Sequence, residues 1–373
     1  MKIKKIEAYQ VDLPYSGGTY ELSGGRTYTS FDATIVRITT ECGLEGWGES
    51  TPFGSTYIAA HALGVRAGIA EIAPYLIGAD PRHVDRINDR MNQALMGHNH
   101  AKTALDIACW DIFGKSVDMP VCDLLGGRVD NRMPIISSIG TGDPEDMRAR
   151  VDAHRAKGYM GHSVKVGALE SEGGPMLDAE RIIASLADRK PGEFFLVDAN
   201  GGLTPEHALR MLSIIPSGLD FVLEAPCATW RETQSLRQRC NVPIILDELA
   251  QTDEDIVKLI ADDTADGIGL KISKNGGLTQ GRKQRDICIA AGLSMTVQDT
   301  VGSVISFAAI THLGQTVAPR LLRCVLDVRD MVTVKTAEFD APVMDGGVVA
   351  PNSAGLGLDV DLDVLGEAIA VWE

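Results

Sequence analysis

The sequence contains no apolar run near the ~20 residues that a membrane-spanning helix needs. It is also short of positive charge: 35 Lys and Arg stand against 51 Asp and Glu, a formal net charge of -16. That balance excludes general nucleic-acid binding, which needs basic stripes to neutralise phosphates. It equally excludes docking on anionic lipid. The seven cysteines are odd in number and form no Cys-x-x-Cys pair. They read as reduced thiols in apolar contexts rather than a disulfide framework. The first thirteen residues, MKIKKIEAYQVDL, lack the apolar core of a signal peptide and read as a strand. A cytoplasmic location is the expectation.

What is present is ordinary globular material, 45% hydrophobic and 23% charged, which excludes disorder as the main state. At roughly 150 residues per domain, 373 residues predict two domains, or one large barrel with an appendage. Residues 1–128 read as an α+β capping domain, strand-rich to about 55 and helical from about 57 to 115. From residue 133 a regular beat begins. Short apolar runs at 135–139, 163–166, 194–197, 221–223, 244–246, 267–270, 295–297 and 324–326 alternate with helical segments. Continuous apolar strands between amphipathic helices imply a parallel sheet covered on both faces. Eight of them imply a (β/α)8-type barrel over 129–349 rather than an open sheet. The stretch 328–345 is mixed, so the last helix is expected to be short or missing. The tail, about 350–373, is expected to rejoin the first domain.

In such barrels chemistry sits where the strands end. Strands three, four and five end at Asp198, Glu224 and Asp247, spaced 26 and 23 residues apart, one βα unit each. Three carboxylates at one mouth would raise one another's pKa values. A hard divalent cation removes the conflict, and all-oxygen ligands from separate strands suit Mg2+, with Ca2+ or Mn2+ also compatible. Each acid taken singly would as readily cap the next helix. Strands two and six end at Lys165 and Lys271, across a closed barrel from each other. The pair is read as base and acid flanking a metal. A Schiff-base lysine needs no metal and leaves the carboxylates unexplained. The pair Gly276-Gly277 is read as a helix-start turn rather than a phosphate loop.

The motifs VDAN, FVLEAP, ILDE and LKISKNGG, in this order on consecutive strands, resemble the enolase superfamily, in its mandelate racemase/muconate lactonizing branch. So do AKTALDIACWDIFGKSVDMPVCDLLGG and GLEGWGES in the first domain. The resemblance implies one Mg2+ per subunit held by Asp198, Glu224 and Asp247, with Lys165 and Lys271 moving protons to and from an enediolate. One departure stands out: the family's first lysine of Lys-x-Lys is here Ser163. Its loss suits a substrate with its own positive charge. The stretches YSGGTYELSGGRTYTSFDATIVRI, GWGESTPFGSTYIA, FVLEAPCATWRE and RDMVTVKTA are most similar to the superfamily's cis-3-hydroxy-L-proline dehydratases. GHNHAKTALDIA and LIGADP are similar to its betaine epimerases. The resemblance therefore implies a small carboxylate substrate, a proline derivative, undergoing dehydration or epimerisation in a homo-oligomer.

Specificity is expected from first-domain loops at 20–28 and 52–57, with Tyr20, Phe53 and Tyr57 as contacts. Asn200, Asp299 and Asp327 complete the expected substrate contacts.

Overall fold

The computed structural model describes residues 1–129 and 132–373. Residues 130 and 131, inside the range read above as barrel, lie outside that description.

Eight parallel strands close into a barrel. In chain order they are Met133–Ile139, Gly161–Lys165, Phe194–Asp198, Val222–Glu224, Ile244–Leu246, Gly267–Lys271, Ser294–Gln298 and Leu322–Leu326. Below they are called strands one to eight. Each pairs with the next, and strand eight closes on strand one through Val325 with Ile135 and Leu326 with Ile136. Strands two, six and seven are buried at every residue, as sheets covered by crossover helices must be. The outer helices begin where the sequence supplies caps. Thr204, Thr229 and Thr252 each accept a bond from the backbone N–H three residues on.

Strands one to seven are each followed by a helix, and strand eight by only a 3-10 turn, Val328–Met331. The reason is local. Asp327 caps that turn by accepting from the Arg329 amide at 3.1 Å, and the following Val-Thr-Val favours extended chain. The chain then forms short strands. Gly347–Val348 lies antiparallel on strand one, and Ala337–Phe339 pairs with Leu358–Val360.

The capping unit is an antiparallel sheet with the spatial order Ala370–Trp372, Ile3–Pro14, Ser30–Thr40, Glu45–Ser50. Its edge strand comes from the tail. Helices Ala62–Leu76 and Asn99–Val117 pack on it through Ile69, Ile72, Leu105 and Ile112, and helix Val84–Ala94 packs against those two helices. Gly46 and Gly48 let helix Asn99–Val117 press against the strand. A Cβ at either would sit 2.2 or 2.0 Å from a helix carbonyl. All seven cysteines are free, and Cys42 is exposed on a turn rather than buried. Among the described residues, no helix is long and apolar enough to cross a membrane.

A hairpin, Tyr20–Leu22 with Arg26–Tyr28, reaches from the cap over the barrel mouth. It is tied down by Tyr20 to the Ser138 hydroxyl at 2.6 Å, by Ser23 donating to the Val166 carbonyl, and by Thr141 N–H donating to the Glu21 carbonyl at 3.0 Å. Phe53 and Tyr57 pack beside it in an edge-to-face aromatic cluster with Tyr20 and Tyr28.

Candidate active site

Parallel register sets the site. Lys165 is paired with Asp198, and Asp198 with Glu224, so three neighbouring strands end in a row. Asp247 follows strand five by one residue, and Lys271 ends strand six opposite Gln298 of strand seven. All of these are buried; Lys165 is 7% and Lys271 6% exposed. The structure thus brings Lys165, Asp198, Glu224, Asp247 and Lys271 to one mouth.

The carboxylates are held by cationic and amide donors. Lys165 pairs with Asp198 Oδ2. Lys271 pairs with Asp247 Oδ2 at 2.6 Å, while Lys274 takes the other oxygen and donates to the Asp247 carbonyl at 2.6 Å. Tyr57 donates to Asp247 Oδ2 at 3.2 Å and accepts from Lys271 at 2.9 Å. Gln298 donates to Glu224 Oε1 at 3.0 Å. Asn200 donates to Asp198 Oδ2 and to Glu248 Oε1, both at 3.1 Å.

Charge follows from this packing. Burial favours neutral lysine, yet the negative charge of Asp198, with Tyr20 and Glu224, overrules it and holds Lys165 above its ordinary range. Lys271 is held up against burial in the same way by Asp247, Glu248 and Glu224. Burial also opposes the Asp247 anion, but Lys271 and Lys274 keep its carboxyl low. Glu224 goes the other way: burial, then Asp198 and Asp247, push its carboxyl well above the usual range. Burial and the same two aspartates push Glu248 up to about 7. The site carries more negative charge than its lysines quench.

Among the described residues, no three acidic, His or Cys side chains are already gathered into a metal cage. The residues nonetheless fit a hard cation. The donor set is all oxygen, and among the described residues no ion pair reaches Glu224, on which Lys271 and Lys165 act only at longer range. Among the described residues, the buried Glu248 Oε2 and Asn200 Oδ1 have no hydrogen-bond partner. Gly269 on strand six leaves space where a Cβ would stand 2.9 Å from Glu224 Oε1. Asp198, Glu224 and Asp247 are the side chains that could hold such an ion.

A small chamber under the hairpin is lined by Lys165, Lys271, Ser163, Asn200, Tyr20, Phe53 and Tyr57, among others. A wider cleft nearby, lined by His61, His98, His100 and Gln251, meets the site through Lys274 and carries neither Lys165 nor Lys271, both of which line the chamber. The chamber is therefore the place for chemistry. Two expected substrate contacts lie elsewhere. Asp299 accepts from Ser273, Ser306 and the Thr300 amide, and Asp327 accepts from Tyr159 and both arms of Arg329. Their oxygens are spent on structure, and neither lines the chamber. Sequence reading gave no role to Lys274, Glu248 or Gln298. Lys274 carried a signal, since it lies one helical turn after Lys271; Gln298 carried none beyond its place at a strand end.

Two family models match the chain: the mandelate racemase/muconate lactonizing enzyme N-terminal domain at residues 24–126 and the enolase C-terminal domain-like model at residues 146–364. The chain belongs to the enolase superfamily, mandelate racemase/muconate lactonizing enzyme type. It is similar to a cis-3-hydroxy-L-proline dehydratase from Roseibium aggregatum, 40% identical over 99% of both chains. It is 28% identical to the N-succinyl-L-Arg/Lys racemase of Bacillus cereus over 84% of both. A crystal structure from Roseovarius nubinhibens, assigned to the mandelate racemase/muconate lactonizing enzymes and complexed with magnesium, superposes with a TM-score of 0.99. It is 60% identical and each chain covers all of the other. Superfamily relatives named dehydratase, racemase and cycloisomerase place this chain among lyases and isomerases.

Proposed function

We propose that this enzyme is a magnesium-dependent hydro-lyase that converts cis-3-hydroxy-L-proline to Δ1-pyrroline-2-carboxylate. The observation that carries the reading is the placement of Lys165 and Lys271 on strands two and six, lining one small chamber at the strand ends that also carry the three carboxylates. The similarity to the dehydratase from Roseibium aggregatum supports the substrate.

Asp198, Glu224 and Asp247 would hold the ion. When bound, Mg2+ supplies Lewis-acid polarisation of a carboxylate and lowers the cost of carbanion formation beside it. The remaining work belongs to side chains. In cis-3-hydroxy-L-proline the hydroxyl shares a ring face with the carboxylate, so the α-proton lies on the opposite face. One lysine, as neutral amine, takes the α-proton as the Cα–H bond breaks. The other, as ammonium, gives its proton to the leaving hydroxyl as the Cβ–O bond breaks. Water leaves, and the enamine tautomerises to the imine. Ser163 leaves the position two residues before Lys165 uncharged, which suits a cationic ring nitrogen. The rings of Tyr20, Phe53 and Tyr57 exclude water above it. The same opposed lysines favour one second reading, epimerisation, in which the second lysine returns a proton to the other face.

Proton NMR in D2O with Mg2+ tests both. Loss of the C3 signal of cis-3-hydroxy-L-proline with growth of a pyrroline supports dehydration. α-Deuterium exchange with the hydroxyl retained, in that substrate or in N-methylated betaines, supports epimerisation. No exchange in any of them refutes the substrate class.

A further inference from the structure

The helix Asn99–Val117 belongs to the cap and contributes nothing to the chamber lining, yet its polar residues meet the turn that follows Lys271. Asn99, Thr103, Asp106 and Trp110 are spaced four, three and four residues apart, which places them on one helix face. Asn99 donates to the Lys274 carbonyl at 2.9 Å. Thr103 lies 3.3 Å from the carbonyls of Ile272 and Ser273. Asp106 accepts from the Thr279 amide at 2.9 Å and from its hydroxyl at 2.5 Å. Trp110 donates to the same hydroxyl at 2.9 Å. Asn99 and Thr103 thus meet carbonyls of the four-residue helix Ile272–Asn275, which follows directly from Lys271, and Asp106 and Trp110 meet Thr279 beyond it.

Between the contacts lies the glycine pair. Gly276 and Gly277 have φ of +106° and +111°, and both amides donate to the Ile272 carbonyl. A Cβ on Gly277 would stand 2.4 Å from Asp106 Oδ2. The turn is thus moulded against the Asp106 carboxylate, which is fully buried. A buried carboxylate is costly unless its hydrogen bonds are met. Here they are met at the start of the helix after the turn, by the hydroxyl and amide of Thr279 and by the Leu278 backbone. The Lys274 ammonium, on the same turn, holds the Asp247 carbonyl.

We propose that Asp106, acting through Thr279, is a positioning residue for Lys271, so that the cap sets the placement of one proton-transfer group as well as roofing the chamber. This rests on the reading of Lys271 given above. Thr279→Val removes the hydroxyl shared by Asp106 and Trp110 while keeping the side chain's shape. The expected result is a kcat for cis-3-hydroxy-L-proline about 10- to 100-fold lower, because small misplacements of a catalytic group are that expensive. KM and the Mg2+ dissociation constant stay near wild type, and Thr279→Ser restores kcat. A lowered melting temperature with unchanged kcat would make the contact purely structural and overturn the proposal. Should Thr279→Val not fold, Asp106→Asn carries the test on the other partner of the same contact, and unchanged kcat there overturns the proposal too. Lys271→Ala is the control for the underlying reading. If that variant turns over like wild type, or wild type exchanges no α-proton, the role of Lys271 fails and the positioning role falls with it.

Discussion

Lys165 and Lys271 are assigned matching chemical roles, but their loss should cost very different amounts of stability. Asp198 has one cationic partner, Lys165; its other contacts are the Asn200 amide and side chain at 2.9 and 3.1 Å. Lys165→Ala therefore leaves a buried carboxylate without a countercharge, a change that costs about 3–5 kcal/mol. Asp247 keeps Lys274 and the Tyr57 hydroxyl when Lys271 is removed. Lys271→Ala should cost about 1.5–3 kcal/mol, the scale of one hydrogen-bonded contact to a charged group. Urea unfolding of cation-free protein measures both. Added Mg2+ should raise the unfolding midpoint of each variant by more than it raises wild type, since one ammonium fewer competes for the carboxylate oxygens. Turnover should fall about 10²- to 10⁴-fold in both, the usual worth of a positioned acid or base. Equal stability losses would refute the charge accounting. A variant retaining more than about a tenth of wild-type turnover would refute its proton-transfer role.

Burial pushes the Asp106 carboxyl up to about 7 from an ordinary value of 3.8. Between those values the native state holds a proton that the unfolded chain has lost, so stability is full below about pH 4 and declines as pH rises through 7. The unfolding midpoint of Asp106→Asn, plotted against pH, should be flatter over this window than that of wild type. Gly277→Ala combines an unfavourable φ with a contact inside 3 Å. It should destabilise by about 2–4 kcal/mol, visible in a thermal melt. Tyr57→Phe removes the hydroxyl that bridges Lys271 and Asp247. The loss of about 1.5 kcal/mol of hydrogen bonding to charged groups should appear as roughly a tenfold fall in kcat/KM.

The barrel was legible because each strand is a short apolar run between turn residues and capped helices, a pattern that chain-local rules generate. The end of each run also pointed to the mouth, so Lys165, Asp198, Glu224 and Lys271 could be named by asking which residue closes each strand. The reading weakened where residues meet across the fold. Asp299 and Asp327 close their strands as the carboxylates of the site do. Only tertiary packing shows that Ser273, Ser306, Tyr159 and Arg329 have claimed their oxygens. Lys274 lies in plain sight in LKISKNGG, but its bond to Asp247 depends on a turn shaped by helix Asn99–Val117, more than 150 residues earlier. The same holds for Tyr57, which could be named as a loop aromatic but not as a bridge between Lys271 and Asp247.

Ser163 offers the sharpest test of whether the substrate carries a positive charge. It sits two residues before Lys165 on strand two, buried and lining the chamber. Residues i and i+2 of a strand share a face, so Ser163→Lys would place a second ammonium beside the first. Two unit charges about 6 Å apart at an effective dielectric near 20 repel by about 3 kcal/mol. A substrate with a cationic ring nitrogen would meet the same repulsion, so its KM should rise about 100-fold. The matching oxygen-ring acid, 3-hydroxytetrahydrofuran-2-carboxylate, carries no such charge and should bind Ser163→Lys as well as it binds wild type. Competition between the two ring systems, measured as inhibition constants in both proteins, isolates the charge from the added bulk. Parallel weakening of both ligands would mean that Ser163 matters for space alone, and the case for a cationic substrate would lose its structural support.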